Sequence, residues 1–148
     1  MSVIDPVALR VFVYDETVGC GTPPSAAAIA ARFECSDAEA RQSLANLNIG
    51  KTILPDPNTG EICMAGPFSA VETPYRVIGK GREWWANCAW DMFGVAVIAN
   101  ERVTVQTRCT DCGEPMSIVG DPALEPSDDG VVHFLLPASR WYENIGFT

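Results

Sequence analysis

A cysteine and an aspartate three residues apart, Cys88 and Asp91, form the most informative cluster in this sequence of 148 residues. The stretch around them, WANCAWDMFGVAVIAN, has the length and the small residues of a buried helix. Positions three apart share one face of a helix, so the thiol and the carboxyl group should point into the same space. Three tryptophans lie nearby in sequence: Trp84, Trp85 and Trp90. Burial beneath them would raise the pKa of Asp91 and make it a plausible acid, next to a soft nucleophile or metal ligand. The structural alternative is a core cysteine beside an aspartate on the helix surface.

A second pair of thiols, Cys109 and Cys112, forms a C-x-x-C motif at the end of a predicted strand. Such a turn can present two thiolates to zinc, copper or mercury, because soft ligands select soft metals. A structural zinc site takes four ligands, and the sequence has no second C-x-x-C. A closed site would therefore need Cys88 and perhaps His133 or Asp111. A redox pair and two structural thiols in a turn are the alternatives.

His133, the single histidine, lies in the apolar run VVHFLLP with no acidic residue close in sequence, which favours a structural role. The remaining thiols have no partner at motif spacing and are predicted to be packing or surface residues: Cys20, Cys35 and Cys63. No secretory signal precedes the six cysteines, so reduced thiols and a cytoplasmic location are expected.

The charge balance argues against nucleic acid as a partner. Ten basic and nineteen acidic residues give a formal charge of -9, and the pI is near 4.4. Such a surface repels nucleic acid and anionic membranes within a Debye length. No apolar run approaches the length of a membrane span. A small-molecule substrate or a soft metal ion is the expected partner.

The first part of the chain predicts three helices. Residues 6–17 place Val7, Val11 and Tyr14 on one helical face, and Pro6 suits the first turn. Thr22 and Pro23 then open a helix of small residues. Ser36 and Glu39 form a capping box for the third helix. A buried stripe is predicted along that helix at Ala40, Leu44 and Leu47.

After the third helix, KTILPDPNTGEICMAG predicts a hairpin. Three helices and a hairpin follow the order of a winged helix. The third helix, however, has Asp37 and Glu39 near its start and only Arg41 in its body, with Lys51 beyond it. DNA binding is therefore not expected, and a packing module is the preferred interpretation.

The second part alternates like strands at residues 75–79, 102–107 and 116–119, and again from Val131, while residues 121–130 are a predicted surface loop. The predicted fold class is α+β, with a winged-helix-like module at 1–70 packed on a small sheet with a central buried helix at 71–148.

Several strings in this order resemble the organomercurial (alkylmercury) lyase family: PFSAVETPYRV, WWANCAWD, RCTDCGEPM and VVHFLLP. The similarity runs from about residue 20 to the end of the chain, and the aromatic-x-x-Cys-Ala-x-Asp string is its most specific part.

The resemblance implies a site in which two thiolates bind mercury and a carboxyl group passes a proton to the departing carbon. Cys88 matches the first cysteine and Asp91 the aspartate, while Cys109 matches a cysteine that is structural in the family. The family's second mercury-binding cysteine would fall beyond Thr148. Within these residues, a second thiolate would have to come from Cys109 or Cys112, or from an external thiol.

The leading hypothesis is therefore a lyase-like enzyme that cleaves a carbon–mercury bond with Cys88 and Asp91, without a required cofactor. Cys88, Cys109 and Cys112 are the predicted ligands of mercury, copper or zinc. One alternative is a non-catalytic metal-binding protein that uses these three thiols. Another is a cysteine enzyme acting on an organic metabolite.

Overall fold

The structure is a computed structural model, and it describes residues 4–123 and 131–143. It contains the helices α1 (Pro6–Cys20), α2 (Ala26–Phe33), α3 (Asp37–Leu47) and α4 (Asp91–Ala99), and the strands β1 (Ile53–Pro55), β2 (Ile62–Ala65), β3 (Phe68–Ser69), β4 (Arg76–Ile78), β5 (Glu83–Ala86), β6 (Val103–Arg108) and β7 (Pro115–Gly120). Short 3-10 helices occupy Asn48–Gly50 and Ala138–Glu143. The predicted α+β class is confirmed.

The three N-terminal helices begin at side-chain caps. The Asp5 carboxylate accepts a hydrogen bond from the Ala8 N–H at 2.8 Å, just before α1, and Pro6 occupies its first turn as predicted. Ser25 caps α2, so that helix begins after Pro23 rather than at it. The predicted capping box of Ser36 and Glu39 is present at the start of α3. These local hydrogen bonds satisfy N–H groups that have no partner within the helix.

The buried face of α1 differs from the predicted one. Val7 and Val11 are 68% and 53% exposed, whereas Leu9, Val13 and Thr17 are buried. Both sets of residues have helical spacing, so periodicity alone does not choose between them. Packing against the rest of the chain decides, and it buries the stripe that begins at Leu9. The predicted stripe of α3 is buried at Ala40, Leu44 and Leu47.

The strands form one antiparallel sheet in the order β1-β2-β3-β5-β4-β6-β7. The predicted hairpin is its β1–β2 pair, and the predicted strands near residues 76, 103 and 116 are β4, β6 and β7. The strand predicted from Val131 is wrong. Residues 132, 134 and 136 are partly buried and their neighbours are exposed, which is the alternation of a strand. Within 131–143, however, no residue pairs with a strand of the sheet. Of the predicted loop 121–130, residues 124–130 lie outside the described residues.

The central helix is shorter than predicted. Residues 83–86 form β5, which is paired on both sides by β3 and β4, and α4 starts only at Asp91. Ladder hydrogen bonds and the strand preference of tryptophan override the helical pattern here. Only one face of α4 is buried, through Met92, Val95 and Ala96.

Two apolar clusters stabilise the fold, one under the helices and β1–β2, the other under α4 and β3–β6. Tyr14 packs against both clusters and donates a hydrogen bond to the Gly66 carbonyl at 2.6 Å. The Trp84 indole, fully buried, donates to the Thr17 carbonyl at 3.0 Å. Helix α1 thus anchors the strand that leads to Cys88. No helix in the described ranges is both long and apolar enough for a membrane crossing.

Candidate active site

Cys88 lies in the turn between β5 and α4. The prediction that it lies within a helix is wrong. Two hydrogen bonds hold the end of β5, from the Ala86 N–H to the Tyr75 carbonyl at 3.0 Å and from the Asn87 N–H to the Pro67 carbonyl at 3.1 Å. The Cys88 carbonyl then accepts from the Met92 N–H at 3.2 Å, which is a helical bond. Cys88 therefore lies in the turn that leads into α4, and its thiol is half-buried.

The side chains of Cys88 and Asp91 lie close enough to change each other's pKa. The backbone N–H groups of Asp91 and Trp90 also act on the Cys88 thiol and lower its pKa. Helix α4 begins directly after Trp90, whose side chain makes no capping hydrogen bond. The two groups that were expected on one helix face thus meet where a turn leads into the helix.

Burial governs the protonation of both groups. Burial raises the pKa of Cys88 above its ordinary value of 9.0, the backbone hydrogen bond from Asp91 lowers it in part, and the charge of the Asp91 carboxylate raises it further. Burial also raises the pKa of Asp91, and hydrogen bonds from the Asn87 side chain and the Cys88 thiol offset part of that rise. At neutral pH the sulfur therefore holds its proton, with a carboxyl group in contact to receive it.

Two further residues at this site were missed by the sequence analysis. The Asn87 side chain lowers the pKa of Asp91, while its Oδ1 atom is buried and has no partner among the described residues. Tyr75 lies close enough for a Cys88 thiolate to raise its pKa, although burial raises it more. An asparagine next to a cysteine is no motif, and Tyr75 comes from a neighbouring strand. Only the position of Asn87 directly before Cys88 could have drawn attention to it.

An open apolar groove of about 620 Å³ borders the turn. Its lining residues are Trp90, Phe134, Leu136, Pro137, Ala138 and Trp141. The Phe134 and Trp141 rings pack at 4.7 Å between centroids. Trp90 is 64% exposed, whereas Trp84 lies in the core. The tryptophans that were expected to cover Cys88 and Asp91 therefore have different environments, and Trp90 is the one that lines the groove.

Cys109 and Cys112 lie in the turn between β6 and β7. The Cys109 N–H donates to the Glu114 carbonyl and the Gly113 N–H to the Cys109 carbonyl, both at 2.9 Å. The backbone N–H groups of Cys112 and Asp111 and the Cys112 thiol lower the pKa of Cys109. Cys112 is exposed and Cys109 is half-buried.

The structure does not gather the predicted metal ligands into one group. In residues 4–123 and 131–143, no three His, Cys, Asp or Glu side chains are close enough to hold a metal ion. Cys88 and the C-x-x-C pair are thus separate features. His133 is exposed and lies on no strand.

All six cysteines are free thiols. Cys63 donates to the Leu54 carbonyl at 3.1 Å, and burial raises its pKa. Cys35 packs against the helical cluster, and Cys20 is exposed on α1.

Comparison with known proteins adds three findings. The family model described as MerB, alkylmercury lyase, matches residues 68–147. A solved structure, described as the crystal structure of the mercury-bound form of MerB2, shares this fold with a TM-score of 0.61 at 16% identity, over 78% of this chain and 55% of that one. The chain thus spans about half the length of that structure. No curated protein matches the sequence.

Proposed function

The chain belongs to the alkylmercury lyase family, and we propose that it is a lyase that cleaves the carbon–mercury bond of an organomercurial with Cys88 and Asp91. The observation that carries this proposal is the position of Cys88 in the turn that leads into α4, with the half-buried Asp91 as the first residue of that helix. The matched residues 68–147 include both groups.

In the first step, the Cys88 sulfur binds the mercury of the substrate and displaces the ligand opposite the carbon. A sulfur–mercury bond forms, the displaced ligand leaves with its electron pair, and the thiol proton passes to Asp91. The raised pKa of Cys88 is compatible with this step, because binding of a soft metal drives the loss of the thiol proton.

In the second step, the protonated Asp91 transfers that proton to carbon. The electron pair of the carbon–mercury bond becomes the new carbon–hydrogen bond, and the mercuric ion stays on sulfur. No electron is gained or lost. A second thiolate on mercury would weaken the bond to carbon by donating electron density, and an external thiol can supply it. Burial, which raises the pKa of Asp91, favours the protonated acid that this step requires.

The apolar groove offers a place for the organic part of the substrate. It adjoins Trp90, two residues from Cys88, and aromatic side chains dominate its lining. An aryl or alkyl group would leave water on entering it, which is favourable. This arrangement supports an organomercurial whose carbon group lies against Trp90 while mercury faces Cys88.

Among the alternatives, a cysteine enzyme acting on an organic metabolite is less well supported. A cysteine that attacks carbon is usually activated by a lowered pKa. The pKa of Cys88 is raised, mainly by burial. A mercury substrate does not need a lowered thiol pKa, because mercury binds sulfur strongly enough to displace the thiol proton.

The test is to incubate the reduced protein with phenylmercuric acetate and excess external thiol, and to measure benzene by gas chromatography. Cys88→Ser should abolish benzene formation, whereas Cys20→Ser, a change at an exposed thiol on α1, should leave it unchanged. Absence of benzene with the wild-type protein, or equal rates in wild type and Cys88→Ser, would contradict the proposal. The second result would favour simple mercury binding.

The division into a module at 1–70 and a core at 71–148 also remains a proposal. The two apolar clusters support it, although the sheet is continuous across the boundary.

A further inference from the structure

The proposed chemistry at Cys88 does not use the C-x-x-C turn, which holds two thiols in one short loop. The Gly113 N–H donates to the Cys109 carbonyl and the Cys109 N–H to the Glu114 carbonyl, both at 2.9 Å, so Cys109 and Cys112 lie within one closed turn. The turn is held by the β6–β7 ladder, which runs in register from the Val103 and Gly120 pair to the Arg108 and Pro115 pair. Two neighbouring, accessible sulfurs on a fixed turn match the needs of a two-coordinate soft metal ion.

The sheet places this turn at the same end as Cys88. Both β5 and β6 are antiparallel to β4, so they run parallel to each other. Arg76 on β4 pairs with Trp85 on one side and Gln106 on the other. Cys88 and Cys109 each follow those partners by three residues. Strands two positions apart are separated by about 10 Å, and Cys88 and Cys109 both lie beyond the same end of these strands.

We propose that Cys109 and Cys112 form a separate two-thiolate site for the mercuric ion, and that this site accepts the ion left on Cys88 after cleavage. The binding part of this proposal is independent of catalysis, whereas the transfer part rests on the proposed function. A site of this kind would clear Cys88 for the next substrate.

The transfer is an exchange of sulfur ligands. A Cys109 thiolate forms a bond to mercury on Cys88, Cys112 forms the second bond as it loses its proton, and the Cys88–mercury bond breaks, so that Cys88 regains a proton. The oxidation state of mercury and sulfur is unchanged. The exposed hairpin at the edge of the sheet, or an intervening small thiol, must span the gap.

The binding part is tested with mercuric chloride alone, in the full chain carrying Cys88→Ser. Native mass spectrometry counts the ions that resist competition by dithiothreitol, and one ion should remain. Adding Cys109→Ser and Cys112→Ser should lower the affinity by at least about 100-fold, since losing even a supporting residue of a metal site costs up to that much. The matched control adds Cys20→Ser and Cys35→Ser instead and should keep the ion.

Equal retention in these two variants would overturn the separate site, as would loss of all tightly held mercury in Cys88→Ser alone. Serine is close to cysteine in shape, and far-ultraviolet circular dichroism checks that the sheet is intact.

The transfer part is tested in a single turnover with phenylmercuric ion and one equivalent of a monothiol, which supplies the second thiolate and can span the gap. Benzene reports cleavage, and alkylation of Cys88 by iodoacetamide reports its release from mercury. In the wild type, Cys88 should become reactive after benzene appears, whereas in Cys109→Ser/Cys112→Ser benzene should form and Cys88 should stay blocked. Benzene with a blocked Cys88 in the wild type would overturn the transfer alone. No benzene at all would overturn the proposed function and the transfer with it, and would leave the binding result standing.

Discussion

The Cys88 thiol and the Asp91 carboxyl group lie together at the start of α4, where burial raises the pKa of both and each group affects the pKa of the other. A thiol that keeps its proton next to a carboxyl group that can take and return it is a two-site proton relay. In the proposed mechanism one proton serves both steps. It leaves sulfur when mercury binds, and it reaches carbon when the carbon–mercury bond breaks.

Asp91→Asn should lower the rate of carbon–mercury cleavage by about 100-fold or more, the usual share of a positioned acid. The amide keeps the shape of the side chain but cannot carry the proton. Affinity for mercuric ion should survive, because the thiols remain. Benzene release and mercury competition are measured in the same preparations. His133→Ala is the control, because His133 is exposed and on no strand. Loss of cleavage in His133→Ala with full activity in Asp91→Asn would reverse the assignment.

Asn87→Ala should shift the pH profile of cleavage. The Asn87 amide lowers the pKa of Asp91, so its removal should raise that pKa further. Asp91 must be ionised to receive the Cys88 proton, so the acidic limb of the profile should move to higher pH. Initial rates across the pH range measure this effect. A uniform loss of rate with an unchanged profile would mean that Asn87 has only a structural role.

The stability of the protein should depend on the titration of Asp91. The folded state holds this proton more tightly than the unfolded chain, because the folded pKa is raised above 3.8. As the pH rises from 3.8 to the folded pKa, the unfolded chain ionises first, and the free energy of unfolding falls. Asp91→Asn does not titrate. Its free energy of unfolding relative to wild type should therefore increase across this window, as measured by urea unfolding at about pH 4 and about pH 7. A relative stability that stays constant or declines would contradict the prediction.

Trp84→Ala should mainly lower the stability of the protein, whereas Trp90→Ala should mainly weaken substrate binding. Trp84 is fully buried, so its truncation should cost about 3–5 kcal/mol of unfolding free energy. Trp90 is 64% exposed, and its truncation should change stability by about 0.5 kcal/mol or less. Because Trp90 lines the groove, its loss should raise KM for phenylmercury instead. Denaturant unfolding and steady-state kinetics separate the two effects. An unchanged KM in Trp90→Ala would exclude the groove from substrate binding.

Duplex DNA binding should be undetectable at physiological salt. The chain has a formal charge of -9. Arg41 on α3 is occupied by ion pairs with Asp37 and Glu61, each at 2.7 Å. A recognition helix needs cations that are free to meet phosphates. A mobility-shift titration tests this, and saturable binding that weakens with salt would contradict it.

The sequence by itself determined the features that depend on neighbours along the chain. The Ser36 and Glu39 capping box, Pro6 in the first turn of α1 and the β1–β2 hairpin all form as predicted. Their hydrogen bonds join residues a few positions apart, so residue type and spacing suffice to specify them. The proximity of Cys88 and Asp91 belongs to this group, although it arises in a turn that leads into α4 and not from a shared helix face.

The tertiary structure alone decided the features that depend on strand pairing and on which surfaces meet. Periodicity in α1 allowed two apolar faces, and packing selected Leu9 and Val13. The helical pattern around Trp85 gave way to β5, because strands on both sides supply ladder hydrogen bonds. The same pairing brings Cys109 to the end of the sheet where Cys88 lies, although 20 residues separate them in the sequence. Such contacts follow from long-range hydrogen bonds and from the burial of apolar surface, and neither is encoded in local spacing.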